Sequence, residues 1–504
     1  MQTMSPSHLV TLLFTFFFLL ILLNLIITRS SSRKLPPGPW KFPFIGNMLS
    51  MISSELPHRA LRNLSKKHGP LMHLQLGEIS ALIVSSPRVA KQVLVKHDLA
   101  FASRFETLVS KIVLYNSTDI GFSPYGNYWR QMRKICMLEL LGTKKVQSFC
   151  SIREQEVDAL MKKICSPSGS STVNLSKYIF TFMNNVISRA AFGRIYKDQD
   201  LLIETIQEAV HLGGGFDVAD LFPSYKLLHL LTGMQCKLTK VHQNLDRTLN
   251  NIIDEHNTNS KLSQGCRTGT DDEDLLDILL RLQNSGDLEI PITTENIKAV
   301  LLDIFTGGTD TAAATVEWAM SEMVRNPRVL RKAQAEVREL LDKKKEVHEV
   351  DIQGLKYLKL VIKETLRLHP PLPFLIPREC RESCEIDGFL IPTKTKVIVN
   401  AWALGRDPEY WHDAECFLPE RFQDSTHDFK GSNLEYLPFG AGRRICPGIS
   451  FGVANVELVL ASLLYHFKWE LPKGMNNEDL DMLESFGAAI RRKTSLHLIA
   501  TPYF

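Results

Sequence analysis

Apolar residues run from Leu9 to Ile27 without a charge, 19 positions in all. As helix that is roughly 28 Å, about one hydrocarbon thickness. A cleaved signal peptide has a shorter apolar core preceded by basic residues; here Arg29, Arg33 and Lys34 come after the run. The pattern predicts a single span, with the body of the chain on the cytosolic side. Leu35-Pro36-Pro37-Gly38-Pro39-Trp40 then reads as a stiff spacer, because proline fixes φ and cannot continue a helix. Short alternating runs at Leu71–Leu76 and Ala81–Val84 predict a small sheet. Phe101–Tyr128 shows little helical periodicity, and a helix begins at Tyr128. Residues 145–260 are mostly helical by periodicity, broken between Gly213 and Pro223. Glu255–Asp274 is polar and reads as a flexible loop, and Lys343-Lys344-Lys345 as a solvated helix end.

The longest periodic stretch is Thr294–Arg325. Thr293 or Thr294 can cap it, Glu295 suits its first turn, and Asn326-Pro327 stops it. Lys363–Pro370 is a helix end, and the apolar run Ile449–Leu464 reads as another helix. The chain is therefore mainly α with a minor β portion.

Composition narrows this little. With 504 residues, 44% hydrophobic and 23% charged, the chain can bury a sizeable core and a large cofactor. No linker or solenoid repeat divides it, so one catalytic domain, 35–504, is expected beyond an anchor at 1–34. The net charge is only +4, and no basic stripe interleaved with aromatics suggests nucleic acid. Nine scattered cysteines lack zinc-ribbon spacing and fit a reducing compartment.

Two stretches carry chemistry. In Pro438-Phe439-Gly440-Ala441-Gly442-Arg443-Arg444-Ile445-Cys446-Pro447-Gly448, glycines let backbone approach a flat object, and arginines favour a thiolate. The helix that follows points its N-terminus at Cys446. A cysteine thiolate is an axial ligand of haem iron that favours O–O cleavage. In the long helix sits Phe305-Thr306-Gly307-Gly308-Thr309-Asp310-Thr311. Each mid-helix glycine costs about 1 kcal/mol relative to alanine, so two together need a reason. They make room for a ligand against the helix, with Asp310 and Thr311 as an acid and a hydroxyl beside that groove. Trp129 and Arg133 share a helix face, as do Glu364 and Arg367.

Phe439-x-x-Gly442-x-Arg444-x-Cys446-x-Gly448 resembles the haem-binding loop of the cytochrome P450 superfamily, the haem-thiolate monooxygenases. Gly307, Gly308, Asp310 and Thr311 match that family's long-helix motif, with Ala312 departing from its last place. The resemblance spans the chain in five ordered motifs. The segments Phe122–Arg130 and Asn400–Pro408 are similar to the plant A-type branch, and within it to members that oxidise terpenoids and terpene-derived alkaloids.

The resemblance implies the P450 fold, with haem b between the long helix and the cysteine loop. It implies that Cys446 ligates iron and that Trp129, Arg133, Arg378 and Arg444 hold propionates, with Phe439 in the same loop. It implies proton delivery by Asp310 and Thr311, and a structural triad of Glu364, Arg367 and Arg421. Ile304, Phe305, Gly307, Phe374, Leu375, Ile376 and Phe486 would shape an apolar substrate pocket. Electrons would come from NADPH through a separate NADPH–cytochrome reductase, with cytochrome b5 as a further donor, at the endoplasmic reticulum membrane. The chain itself has no nicotinamide fingerprint. The expected reaction is hydroxylation of a lipophilic terpenoid, with a terpene indole alkaloid as the alternative substrate. A haem-thiolate isomerase or dehydratase is the rival class, against which Asp310-Thr311 argues. A scaffold with a degenerate site would show a broken motif, and none is broken at an essential residue. Sequons at Asn63, Asn116 and Asn174 should stay bare on a cytosolic body.

Overall fold

The computed structural model describes Thr15 and most of residues 35–503, leaving out 52–54, 166–171, 198, 215–217, 226–231, 264–272, 343, 345, 486 and 488. The span expected at Leu9–Ile27 lies outside these residues apart from Thr15, and Phe486 lies outside them altogether.

The helices that build the body are α1 (Pro57–His68), α2 (Asn127–Ile135), α3 (Cys150–Cys165), α4 (Leu175–Phe192), α5 (Gln199–Gly213), α6 (Met234–Ser263), α7 (Leu275–Ser285), α8 (Thr294–Arg325), α9 (Pro327–Leu340), α10 (Tyr357–Leu368) and α11 (Ile449–His466). The strands are β1 (Leu71–Leu76), β2 (Ile79–Val84), β3 (Thr172–Asn174), β4 (Arg378–Glu379), β5 (Cys384–Ile386), β6 (Phe389–Ile391), β7 (Lys396–Val399), β8 (Phe467–Glu470), β9 (Glu484–Ser485), β10 (Arg491–Arg492) and β11 (His497–Pro502).

Helix α8 begins where its sequence signals put it. Thr293 accepts from the Asn296 amide, Asn296 reaches back to the Thr293 amide, and Glu295 lies in the first turn. That satisfies otherwise orphaned amides and complements the helix dipole. The helix ends at Asn326, before Pro327. From Ala312 to Val324 every residue of α8 is buried, so it runs through the core rather than over it. It packs on α4, α11, α10 and α9. Helix α11 is apolar and long enough to cross a membrane, but 61% of it is buried against these neighbours, as befits a core helix.

The main sheet has the order β1-β2-β7-β4, with β2 and β7 parallel and the other pairs antiparallel. It buries β2 through Ala81–Val84 and leads β4 up to the cysteine loop. Smaller sheets pair β9 with β10, β5 with β6, and β3 with β11 and β8.

One expectation fails. Of the loop expected over Glu255–Asp274, the part up to Ser263 is helix, because α6 continues that far, and residues 264–272 lie outside the described residues. The reason is tertiary: buried His256 on α6 bonds Asp274, the N-cap of α7, at 2.9 Å. Weak periodicity hid a helix whose buried His256 is tied to Asp274 and Asp277 of the next helix start.

Candidate active site

The cysteine loop reaches its shape through left-handed glycines. Gly440 and Gly442 have φ of 73° and 66°. A Cβ on Gly442 would lie 2.5 Å from the Leu94 carbonyl oxygen and 2.6 Å from Asp98 Oδ1, so only glycine fits. The Cys446 amide donates to the Phe439 carbonyl at 3.0 Å, and the Gly448 amide donates to Cys446 Sγ at 3.3 Å. Helix α11 starts at the next residue. Burial pushes the Cys446 thiol up, while the Gly448 amide and the Arg133 guanidinium pull it down.

That corrects the expectation for the two adjacent arginines. Arg444 turns away from the sulfur and donates to the carbonyls of Ala102 (2.6 Å), Ile120 (3.2 Å) and Ser123 (2.5 Å). The Arg443 amide donates to Asp98. The cation acting on the thiol is Arg133, 313 positions away in sequence, whose Nη2 donates to the Ile445 carbonyl at 2.5 Å.

Around this loop lies a surplus of buried positive charge. Arg378 bonds Asp98 at 2.9 Å and the Ala441 carbonyl at 2.6 Å. Arg104, which the sequence reading missed, donates to the carbonyls of Gly121 (2.9 Å) and Pro377 (3.1 Å). Burial and then the neighbouring Arg444 and Arg378 hold Arg104 well below the usual guanidinium value. Burial and Arg378 bring Arg444 down to about 9. Trp129 donates its indole N–H to the Ile120 carbonyl at 3.1 Å and lies under the Arg444 guanidinium, 4.0 Å away. Guanidiniums that repel one another and bond mainly carbonyls suit a ligand bearing carboxylates. With a thiol beside them, the donor set fits haem b.

Helix α8 supplies the opposite wall, and its two glycines divide the work. A Cβ on Gly307 would meet no heavy atom within 4 Å, whereas one on Gly308 would lie 2.8 Å from Ile187 Cδ1 of α4. Gly307 leaves a groove; Gly308 allows close helix packing. The Thr311 hydroxyl donates to the Gly307 carbonyl at 2.6 Å. Asp310 pairs with Arg491 of β10, and burial raises its carboxyl while Arg491 opposes that rise. Earlier on the helix, half-buried Asp303 accepts from the amides of Ile120 (2.6 Å) and Gly121 (3.1 Å). Asp119 faces it, and burial pushes both carboxyls up. The signal for Asp303 was an acid inside an otherwise apolar helical run.

The expected pocket residues do not all converge. Phe305 is buried and stacks on Phe192 of α4, with centroids 5.3 Å apart; it belongs to the core, because its helix face points at α4. Phe374 packs with the β1–β2 cluster, 6.4 Å from the His58 ring. Leu375, with φ of 53°, reaches toward the cysteine loop: its Cδ1 is 3.8 Å from a Cβ built on Gly440. Ile376 Cδ1 lies 3.8 Å from a Cβ built on Gly121. Ile304 is partly buried beside the main core, and the Phe439 ring packs edge-on to Phe429.

Glu364, Arg367 and Arg421 do meet. Glu364 bonds Arg367 at 2.7 and 2.8 Å and Arg421 at 3.0 Å. The two arginines also donate to the carbonyls of Gly405, Ala414, His412 and Cys416. The triad thereby stitches α10 to the segment leading into the cysteine loop.

The sequence matches the family model for cytochrome P450 over residues 36–498. The chain belongs to the cytochrome P450 family: it has that fold and is a haem-thiolate monooxygenase. Among its relatives, premnaspirodiene oxygenase of Hyoscyamus muticus is 56% identical over 487 residues, covering 96% of each chain. Germacrene A hydroxylase of Barnadesia spinosa is 53% identical, also covering 96% of each. Desmethyl-deoxy-podophyllotoxin synthase of Sinopodophyllum hexandrum is 54% identical, covering 96% of this chain and 95% of its own. A solved zebrafish cytochrome P450 bound to abiraterone superposes with a TM-score of 0.74 at 25% identity, covering 89% of this chain and all of that one.

Proposed function

We propose that this monooxygenase hydroxylates a sesquiterpene, drawing electrons from NADPH through a separate reductase, with cytochrome b5 as a second donor. Residues 1–34 anchor it in the endoplasmic reticulum membrane with the body cytosolic. The observation that carries the reading is one thiol, Cys446, lying beside buried guanidiniums that lack enough carboxylates of their own. Relatives named for premnaspirodiene and germacrene A point to a terpene hydrocarbon, and Leu375 and Ile376 offer such a substrate only apolar contacts.

Haem, when bound, supplies the O₂-activating redox chemistry. Cys446 would ligate its iron, and Arg104, Arg133, Arg378, Arg444 and Trp129 would hold or orient its carboxylates. Gly307 would leave room for ligand against α8, since a Cβ there meets no heavy atom within 4 Å. Hydroxylation consumes O₂, two electrons and two protons and releases one water, so protons must reach a buried site; Asp310 and Thr311 carry them. Exposed Arg130, Arg381 and Arg443 line a surface groove of about 450 Å³, a face suited to an acidic redox partner.

The test is product mass from microsomes holding this protein and a plant reductase, with sesquiterpene and diterpene hydrocarbons and terpene indole alkaloids, with and without NADPH. An NADPH-dependent gain of one oxygen on a sesquiterpene is expected. Product formed equally without NADPH would overturn the monooxygenase reading; product on an alkaloid alone would overturn the substrate.

A further inference from the structure

Two cysteines meet away from the site described above. Cys380 and Cys384 stand at the two ends of an exposed turn, Arg381-Glu382-Ser383. Cys380 is 0% exposed, in an apolar cluster with Val84 of β2 and Val397 of β7. Cys384, the first residue of β5, is half-buried against the same cluster. Both ends of the turn are held by backbone. The Cys380 amide donates to the Thr395 carbonyl at 2.9 Å, and its own carbonyl accepts from the Lys394 amide at 2.7 Å. Cys384 pairs with Ile391 across the β5–β6 ladder. Held in this way, the two thiols hydrogen-bond each other, and Cys380 Sγ lies 3.0 Å from the Glu382 carbonyl oxygen. The bond between them pulls the Cys384 thiol down; the same bond, and then burial, pushes Cys380 up. The two sulfurs therefore differ in kind. One is accessible and more acidic, the other buried and protonated, which is the division between a reactive and a resolving thiol.

We propose that Cys380 and Cys384 form a peroxide-sensing dithiol, closed to a disulfide by oxidation and reopened by cellular thiols. The Cys384 thiolate sulfur attacks the O–O bond of hydrogen peroxide and becomes a sulfenic acid. The departing hydroxide takes up the proton that the thiol gave up and leaves as water. The Cys380 sulfur then displaces hydroxide from the sulfenic sulfur, and its own proton leaves with that hydroxide as a second water. Two thiols lose two electrons and two protons, and one peroxide becomes two waters. Peroxide arises at this enzyme itself whenever O₂ takes two electrons and two protons without passing oxygen to substrate. The ring that closes is short, so it gains little loop-closure entropy. The bond is therefore easily reduced, as a switch among free thiols must be.

Arg381 carries the consequence. Its amide donates to the Ala100 carbonyl at 2.8 Å, and its guanidinium lies 5.0 Å over the Tyr125 ring, in the cationic surface groove. Drawing the sulfurs from hydrogen-bond distance to about 2 Å tightens the turn that holds Arg381. That shifts the guanidinium and slows electron delivery, an effect that rests on the docking face proposed above. The test treats the haem-loaded protein with a few equivalents of hydrogen peroxide, alkylates the remaining thiols and digests with trypsin. Cleavage after Arg378, Arg381 and Lys394 leaves Glu379–Arg381 and Glu382–Lys394 joined only by the disulfide, and dithiothreitol should separate them. In Cys380→Ser, Cys384 should stop at the sulfenic acid and take a diketone label; in Cys384→Ser, Cys380 should stay unlabelled and alkylatable. Both wild-type thiols alkylated after peroxide would overturn the proposal, as would label on Cys380 in Cys384→Ser. Electron delivery is read without substrate, as reductase-driven growth of the CO band. Oxidised wild type should need several-fold more reductase for half-maximal rate, with dithiothreitol reversing this and Cys384→Ser not showing it. Identical curves with and without the mapped disulfide would overturn the effect on Arg381. If Arg381→Glu also leaves the curve unchanged, the docking face is what fails, and the joined peptides still decide the dithiol.

Discussion

Single charges in this protein are governed by what burial leaves them to bond. Cys446 is pushed up by burial and drawn back by one backbone amide and Arg133. Asp119 is pushed up by burial and by the neighbouring Asp303 charge, and Asp303 by burial. Glu484 of β9 runs the other way. Burial raises it, but bonds from His58 (3.1 Å) and Arg59 (2.8 Å) outweigh that and hold it at about 2, against an ordinary 4.5. A lowered carboxyl contributes stability that is present above its ordinary value and lost as pH falls toward its folded value. The window is therefore between 4.5 and about 2, and the contribution at neutral pH is on the order of 3 kcal/mol. Glu484→Gln should unfold at lower temperature at neutral pH, and its melting temperature should fall less steeply than wild type between about pH 5 and pH 3. Circular dichroism melts across that range test this; parallel curves would show that Glu484 carries no such charge.

At the scale of the element, α8 combines two requirements that conflict in any ordinary helix. It must pack against α4 and also leave a groove for a large ligand. Adjacent glycines meet both because they face different neighbours, Gly308 toward Ile187 and Gly307 toward open space. The substitutions should separate. Gly307→Ala adds a methyl where nothing opposes it and should raise stability by up to about 1 kcal/mol, while crowding the groove and weakening substrate binding. Gly308→Ala gains the same propensity but drives a methyl into Ile187, at a cost of about 1–3 kcal/mol. Denaturant melts alongside spectral substrate titrations distinguish them; equal stability changes would mean that the packing at Gly308 is looser than 2.8 Å implies.

For the whole molecule, the body presents one cationic groove in which Arg130 and Arg381 make no ion pair among the described residues, while Arg443 leans on Asp98 at 3.5 Å. If the electron donor docks there by charge, Arg381→Glu should raise the reductase concentration needed for half-maximal rate several-fold and flatten its salt dependence, with the CO spectrum unchanged. Reductase titrations at two ionic strengths measure this, and identical curves would move the docking face elsewhere.

What the sequence by itself determined follows from local rules. The bounds of α8 are written in Thr293, Glu295 and Pro327, because caps and breakers act within one helical turn. The thiol is marked by its glycines, because only they reach φ of 73° and 66° without strain. Other features depended on residues far apart in the chain. Which arginine faces Cys446, why Phe305 stacks on Phe192, where Asp310 finds Arg491, and that α6 outlasts its polar stretch were decided only when the elements packed. Periodicity gives a helix its apolar face, but several faces of α8 are apolar, and only the neighbours settle which one meets ligand. Charge counts show nearly equal numbers of acids and bases, 55 and 59. Burial alone concentrates guanidiniums around one cysteine, because desolvation and repulsion arise only once those groups share a dry interior.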